Sequence, residues 1–244
     1  MKSYFNLTYF EKGPYKGAKI EGVIKYFGKY FWARRFYAQL ISRLTPKKGK
    51  ILELGCGFGD LLKFLEEDFH CTGTDISEDA IEKAKLHLKK STLRVIRSEE
   101  LYKLGKVTFN TIVANHILEH LKNPEAVIKE VTRHLKEKGI FFMVMPDPAS
   151  LAHKFKKEKW IGFSDKTHIS LYKPERWIEL LIKHGFIIKK TFSDGFWDSP
   201  YLPYIPTFIQ KAAFTLPALI QTLSTLVFIP KGWGESVIII ARKK

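Results

Sequence analysis

Cysteine is almost missing from this chain. Only Cys56 and Cys71 occur among 244 residues, which excludes a disulfide scaffold and a cysteine-rich zinc site. Acidic side chains are in deficit: Asp+Glu number 25 against 41 Lys+Arg, a formal net charge of +16. Such a balance suits anionic partners: phosphates, nucleic acid or an acidic membrane face. The basic residues are mostly lysines spread along the whole chain, which a solvated surface also explains. Met1 to Tyr9 lack an apolar h-region, so no secretory signal is expected and a cytoplasmic location follows. Repeats and low-complexity tracts are absent too. At 45% apolar residues, wholesale disorder is excluded. The length suffices for one large domain, or one domain with an added lobe.

From Lys50 onward, short β-type runs alternate with helical patterns. Strands are expected at Ile51–Leu54, Cys71–Thr74, Leu93–Ile96, Phe109–Ala114 and Ile140–Met145, the last stopped by Pro146. A helix is expected over Asp60–Glu67, with Leu61, Leu62, Phe64 and Leu65 on its apolar side. Ser77 has the character of an N-cap, with Glu78 and Asp79 in the first turn where the helix dipole favours anions. Asn123-Pro124-Glu125 starts another helix, striped by Val127, Ile128, Val131 and Leu135 and closed by Gly139. Pro174 opens a helix that Gly185 ends, and Phe186–Thr191 and Val237–Ala241 are the last strands. This alternation predicts an α/β fold with a doubly wound, mostly parallel sheet covered on both faces. Residues 1–45 form an N-terminal helical cap, 46–194 the core, 195–232 a hydrophobic insertion, and 233–244 return the last strand to the core.

The densest chemistry lies in Ile51-Leu52-Glu53-Leu54-Gly55-Cys56-Gly57-Phe58-Gly59-Asp60, between the first strand and the first helix. Glycines there let the backbone turn sharply and let a ligand approach closely. Glu53 sits just before the loop, and Asp75 ends the second strand, 20 residues after Gly55. An acid in that place can accept hydrogen bonds from both hydroxyls of a ribose. The G-C-G-F-G spacing differs from the G-x-G-x-x-G of a pyrophosphate site. Asp60 at the helix start would repel a pyrophosphate and suits a ligand carrying an ammonium group.

On these residues the chain resembles the class I S-adenosylmethionine-dependent methyltransferases. Ile51–Asp60 looks like their motif I, and Asp75-Ile76-Ser77 like the second motif. Asn115-His116-Ile117-Leu118-Glu119-His120-Leu121 resembles a stretch after strand four in the branch that includes ubiquinone-biosynthesis-type methyltransferases. Trp32-Ala33-Arg34-Arg35 and Asp165-Lys166-Thr167-His168, with Tyr172-Lys173-Pro174-Glu175, are similar to further segments of that branch. The resemblance implies a seven-stranded Rossmann-like sheet and S-adenosylmethionine as the methyl donor. Glu53, Gly55, Cys56 and Gly57 would lie under its methionine part. Asp75 would hold the ribose and Ile76 would pack on the adenine. Asn115 and His116 would lie near the sulfonium, and Arg34 would reach the carboxylate. Arg97 occupies the place of the acid that commonly meets the adenine amine, which leaves Ser98 or Glu99 for that contact. His116 and His168 are the candidate acid–base groups. No metal is expected, because Glu119 and His120 lack a second clustered ligand in the sequence.

From Ala212 to Pro230 no residue is charged, which approaches the ~20 apolar residues of a membrane span. Pro217 and Gln221 dilute the stretch, and Val237–Ala241 must return to the sheet directly afterwards. The segment is therefore read as a lid over an apolar substrate, an interfacial membrane contact, a homodimer interface or an added core helix. As a lid it would present Phe214, Leu216, Leu219 and Leu223 to the acceptor. Three functions compete: methyl transfer to a small-molecule or lipid-like acceptor, methylation of RNA or DNA, and a non-catalytic binding protein of the same fold. The run Val113-Ala114-Asn115-His116 lacks the Asn-Pro-Pro-aromatic loop of base methylation, which favours the small acceptor over nucleic acid.

Overall fold

The computed structural model describes residues 29–244. The expectations for Met1–Tyr9 and for the earlier part of the N-terminal cap lie outside the described residues. Seven strands form one sheet: β1 (Lys50–Leu54), β2 (His70–Asp75), β3 (Thr92–Val95), β4 (Phe109–Asn115), β5 (Leu135–Pro146), β6 (Phe186–Ser193) and β7 (Ser236–Lys243). Their order is β3-β2-β1-β4-β5-β7-β6. Neighbours from β3 to β5 run parallel, and β7 runs antiparallel to both β5 and β6. The longer helices are α1 (Lys29–Leu44), α2 (Glu78–His87), α3 (Pro124–His134), α4 (Leu151–Lys156), α5 (Pro174–Lys183) and α6 (Leu216–Ser224), with single helical turns at Ile161–Ser164 and Thr207–Gln210.

Apolar runs in β1, β4 and β5 are continuous because helices cover both faces of the sheet. Ile51, Val113, Phe142 and Val144 face Phe36, Tyr37 and Ile41 of α1 and Ile81 and Ala84 of α2. Leu52, Leu54, Ile112 and Met143 face Val127, Ile128 and Val131 of α3 and Trp177, Leu180 and Leu181 of α5. Trp177 is fully buried, and truncating such a side chain to alanine costs about 3–5 kcal/mol.

Three local expectations are corrected. Asp60–Glu67 is not an α-helix: only Leu62–Phe64 closes a 3₁₀ turn. Glu66 is turned inward, where its carboxylate accepts the backbone N–H groups of Lys89 (3.1 Å) and Lys90 (3.0 Å). β2 then begins at His70, whose N–H donates to Gly49 O at 3.0 Å, so few residues remain for regular helix. Gly139 does not close the following helix. α3 ends at His134 and the chain is extended from Leu135, which pairs with Phe109. Pro146 does not stand outside β5: it is the last residue of that strand and pairs with Ser236 of β7.

The uncharged stretch divides into a π-helical turn, Lys211–Thr215, and α6. Ala218, Gln221 and Thr222 are buried, whereas Leu216, Ile220 and Leu223 are about half exposed. Gln221 anchors the segment. Its Nε2 donates to Ser193 O (3.0 Å), and its Oε1 accepts from Phe228 N (3.0 Å) and Ile229 N (2.9 Å). Among the described residues, no helix is long and apolar enough to cross a membrane.

Candidate active site

The strand order reverses between β1 and β4, and the carboxyl ends of β1, β2 and β4 meet there. Such a switch point is where open α/β sheets bind ligands. The loop after β1 holds Gly55 (φ +61°), Gly57 (φ +51°) and Gly59 (φ +79°) in the left-handed region, which side chains disfavour. A Cβ on Gly55 would also stand 2.6 Å from Ile117 Cδ1. This backbone aims Gly57 N–H at Asp75 Oδ2 (2.8 Å), and Ser77 N–H reaches Asp75 Oδ1 (2.8 Å). Asp75 is thus fixed at the tip of β2 with lone pairs to spare. Burial raises its pKa, and the two backbone donors counter part of that rise. Ser77 caps α2 as expected, accepting Ala80 N–H at 3.3 Å.

A cavity of about 490 Å³ opens over this loop. That size is ordinary for a small-molecule site. The side chains proposed from sequence all lie on its wall, at three places. Glu53, Gly55, Cys56, Gly57 and Arg34 surround the loop. Asp75, Ile76, Ser98 and Glu99 line one end, and Asn115, His116 and His168 the other. Arg34 Nε is 3.8 Å from Asp60 Oδ2, and Arg97 is 3.7 Å from Glu99 Oε1. Glu53 is buried with Oε2 lacking any hydrogen-bond partner. Burial drives its pKa well up, moderated by the nearby Arg34 charge. Burial also pushes the Cys56 thiol well up, which makes it a poor nucleophile.

His116 follows β4 with φ +53°, a strained conformation of the kind that gathers at functional sites. Its N–H donates to Val144 O at 2.9 Å, and Nδ1 lies 3.2 Å from Glu119 Oε1. Burial would raise Glu119, but the His116 hydrogen bond and the charges of His116, His120 and His168 bring it below the ordinary carboxylate value.

The expectation that Glu119 and His120 lack a clustered partner is corrected. Ile169 N and Ser170 N both donate to Glu119 O at 2.9 Å, which docks the segment carrying His168 onto this loop. One ligand atom from each of Glu119, His120 and His168 lies within 4.8 Å of the others. Two histidines and a carboxylate are a donor set that can hold a metal ion, so these three residues form a candidate cation site. His168 Nδ1 donates to Gly162 O at 2.7 Å, leaving Nε2 as the lone-pair nitrogen.

A further group was not singled out in the sequence: Tyr37, Asp194, Trp197, Asp198, Glu235 and Ser236 also line the cavity. Asp194 accepts from Tyr37 OH (3.1 Å) and Ser236 N (3.0 Å). Glu235 accepts from Trp160 Nε1 (3.0 Å) and from Tyr201 OH. Burial pushes Asp194 up to about 6 and Glu235 up to about 7. The lid expected from residues 212–230 is corrected: Phe214, Leu216, Leu219 and Leu223 are absent from the cavity wall. Phe214 instead packs against Phe155, Phe196 and Tyr201 at centroid separations of 5.2–6.4 Å.

This sheet order, with its glycine loop and acid-tipped second strand, is the class I S-adenosylmethionine-dependent methyltransferase fold. Residues 30–190 match the family described as "Methyltransferase domain", and the chain belongs to that family. A ubiquinone biosynthesis O-methyltransferase from Pelagibacter ubique is 29% identical over 154 residues, covering 59% of this chain and 64% of the relative. One from Dechloromonas aromatica is 34% identical over 99 residues, covering 38% and 43%. The chain thus spans just under two thirds of the first relative and less than half of the other. Among solved structures, a possible histamine N-methyltransferase from Thermotoga maritima superposes with a TM-score of 0.61 at 22% identity, over 91% of this chain and 96% of that one. A plantazolicin methyltransferase bound to S-adenosylhomocysteine gives 0.59 at 17% identity, over 88% and 83%.

Proposed function

We propose that this protein is a methyltransferase that binds S-adenosylmethionine and methylates a small-molecule acceptor with an apolar body. The observation that carries this reading is the Asp75 carboxylate, fixed by Gly57 and Ser77 N–H groups beside a cavity whose buried Glu53 carries an unpartnered oxygen. That donor–acceptor set fits the cofactor: two hydroxyls for Asp75 and an ammonium for Glu53. Ser98 and Glu99 would hold the adenine amine, Ile76 the ring face, and Arg34 the carboxylate. When bound, S-adenosylmethionine supplies a methyl group on a sulfonium. His116 takes a proton from the acceptor, its ring held by Glu119. Ile117, Leu121, Ile169 and Trp197 shape the apolar part of the acceptor pocket. Much of the rate would come from holding the acceptor in line. The test is calorimetric titration with S-adenosylhomocysteine and NAD, followed by an acceptor screen read as S-adenosylhomocysteine release. Saturable binding of S-adenosylhomocysteine is expected, and tighter binding of NAD would sink the reading.

A second feature supports peripheral contact with an anionic lipid surface. Leu226 (68%) and Phe228 (51%) are exposed on the uncharged segment and Phe208 (74%) just before it, and Phe155 beside it lies within the run Lys154-Phe155-Lys156-Lys157. Exposed apolar side chains with lysines around them suit an interfacial site. Co-sedimentation with anionic against neutral vesicles tests it, and equal or absent binding would remove it.

A further inference from the structure

We propose that the acceptor end of the cavity selects an organic ammonium, so that the methyl group is received by the nitrogen of a primary or secondary amine. The inference rests on the methyltransferase reading and names the acceptor class within it. Its first ground is the kind of atom left without a partner. Among the described residues, three buried side-chain atoms on the cavity wall have no hydrogen-bond partner: Glu53 Oε2, Asn115 Oδ1 and His168 Nε2. All three are acceptors, because His168 Nδ1 already donates to Gly162 O. The His168 side chain is 1% exposed, and Asp165 Oδ2 at 3.8 Å stands beyond hydrogen-bond reach. Buried polar atoms find partners, and here the missing partners are donors. The cofactor's ammonium answers Glu53. At the other end, His168 Nε2 calls either for a donor from the second ligand or for a cation shared with Glu119 and His120. An ammonium brings up to three N–H groups, whereas a phenol brings one O–H.

The second ground is charge. The whole chain carries a formal net charge of +16, yet Asp194, Asp198 and Glu235 gather at this end of the cavity. Arg34 and Arg97 are engaged with Asp60 and Glu99, Lys156 lies over the Tyr201 ring and partly offsets the Glu235 charge, and Lys122 lines the cavity as an exposed side chain. Three carboxylates in a low-dielectric wall focus a negative potential that a cation relieves. Trp197 and Tyr37 stand beside Asp194 and offer aromatic faces suited to ammonium groups. Burial is the main cause of the raised pKa values of Asp194 and Glu235, and the neighbouring His116 and Lys156 charges offset only part of it.

The chemistry balances. The bound ammonium first gives one proton to His116, which frees the nitrogen lone pair. The N–C bond then forms as the S–C bond of S-adenosylmethionine breaks, and the sulfonium becomes a neutral thioether. The positive charge passes to the methylated nitrogen, which the same carboxylates stabilise. Release of the product as an ammonium and loss of the His116 proton to water restore the site.

The test uses the full chain saturated with S-adenosylhomocysteine. Phenethylamine and its alcohol, 2-phenylethanol, are titrated in parallel by calorimetry. At least tenfold tighter binding of the amine is expected. Asp198→Asn should weaken the amine tenfold and leave the alcohol and S-adenosylhomocysteine unchanged, and Trp197→Leu should act in the same direction. In the acceptor screen, amines should release S-adenosylhomocysteine faster than matched alcohols and phenols. Equal affinity for amine and alcohol, or an Asp198→Asn variant that binds as wild type, would overturn the proposal. Amine binding that disappears after chelator treatment would also overturn it, because a metal at Glu119, His120 and His168 would then be the cation the site holds. Failure to bind S-adenosylhomocysteine at all would instead reject the methyltransferase reading beneath it.

Discussion

The two ends of the cavity are built in opposite ways. At the loop end, a carboxylate is held by backbone atoms near it in sequence: Asp75 takes the N–H of Ser77, two residues on, and of Gly57, 18 residues back. At the acceptor end, carboxylates are held by side chains brought from afar. Asp194 takes the hydroxyl of Tyr37, 157 residues away, and Glu235 takes Trp160 and Tyr201, 75 and 34 residues away. The first end depends on turn geometry, and any sequence with those glycines can rebuild it. The second depends on β7 slotting between β5 and β6, which aligns Asp194 and Glu235 beside one another. A fold can therefore keep its loop end constant while the acceptor end changes with each exchanged side chain.

The largest effect is expected at the loop end. Asp75→Ala removes hydrogen bonds from a charged acceptor, each worth about 1.5–3 kcal/mol. Cofactor affinity should fall about 100-fold or more by calorimetry while circular dichroism remains native. Gly57→Val should abolish binding as well, because the loop needs φ +51° there and the added side chain would occupy the part of the cavity where the cofactor backs onto the loop. Binding that survives both changes would reduce the loop to a structural turn.

The contrast also accounts for how far the sequence could be read. Ile51–Leu54, the glycine loop and Asp75 are contiguous or one strand apart, and their pattern carries both geometry and chemistry. Glu53, Gly55, Cys56, Gly57 and Asp75 reach the cavity for that reason, whereas Arg34, Asn115, His116 and His168, which also line it, were legible only through the family resemblance. Tyr37, Asp194 and Glu235 carried no local signal. A tyrosine in an amphipathic helix and an acid before a strand are ordinary surface residues until the topology joins them. The His168 cluster was missed for the same reason, since hydrogen bonds across 47 or more residues bring it in: Ile169 and Ser170 N–H to Glu119 O, Thr167 Oγ1 with His120 Nδ1 and Ser170 Oγ to Leu121 O. The Asp60–Glu67 helix failed differently: its apolar spacing was real, and Leu61, Leu62 and Leu65 are buried, but the chain must reach β2 too soon for regular turns to form.

A mid-sized effect separates the two halves of the acceptor end. His116→Ala should lower kcat by about 10²–10⁴, the usual range for a general base, and change S-adenosylhomocysteine affinity far less. Glu119→Gln acts through His116. It should lower kcat less and shift the acidic limb of the kcat–pH profile, because a neutral amide no longer stabilises the charged imidazole. An unshifted profile would assign Glu119 a purely structural role.

A smaller effect is expected in stability. Burial raises Glu235 to about 7, with Asp198 and Asp194 adding to the rise and Tyr201 and Lys156 opposing it. Its folded pKa exceeds the unfolded one, so the folded state binds more protons between about pH 4.5 and 7. The stabilisation is present in acid and is lost as pH rises through that window. Glu235→Gln should flatten this part of the difference between wild-type and variant Tm measured from pH 5 to 8, by an amount of a few kcal/mol at most. Asp194, raised to about 6 beside Tyr37 and His116, should show the same sign over a narrower window in Asp194→Asn. A difference that grows toward alkaline pH in the opposite sense would mean these carboxylates are ionised and stabilised in the folded protein.

The smallest effect on stability tests whether the exposed apolar segment belongs to either end. Leu223 is 51% and Leu226 68% exposed, on a stretch whose anchoring falls to Gln221 and Ala218. Neither leucine reaches the cavity wall. Leu223→Lys and Leu226→Lys should therefore change stability by no more than about 0.5 kcal/mol, the ordinary scale for surface substitutions. Cofactor affinity should stay within error, because α6 packs on α1 and reaches the end of β6 through its other face. Vesicle co-sedimentation is the property that should respond: each lysine removes apolar area but adds a charge that anionic lipid attracts, so the double variant should lose the part of its vesicle binding that survives high salt. Loss of several kcal/mol on either change would show instead that this face is packed against protein, as in a second copy of the chain, and sedimentation velocity on wild type and variant would then reveal a dimer that the lysines dissociate.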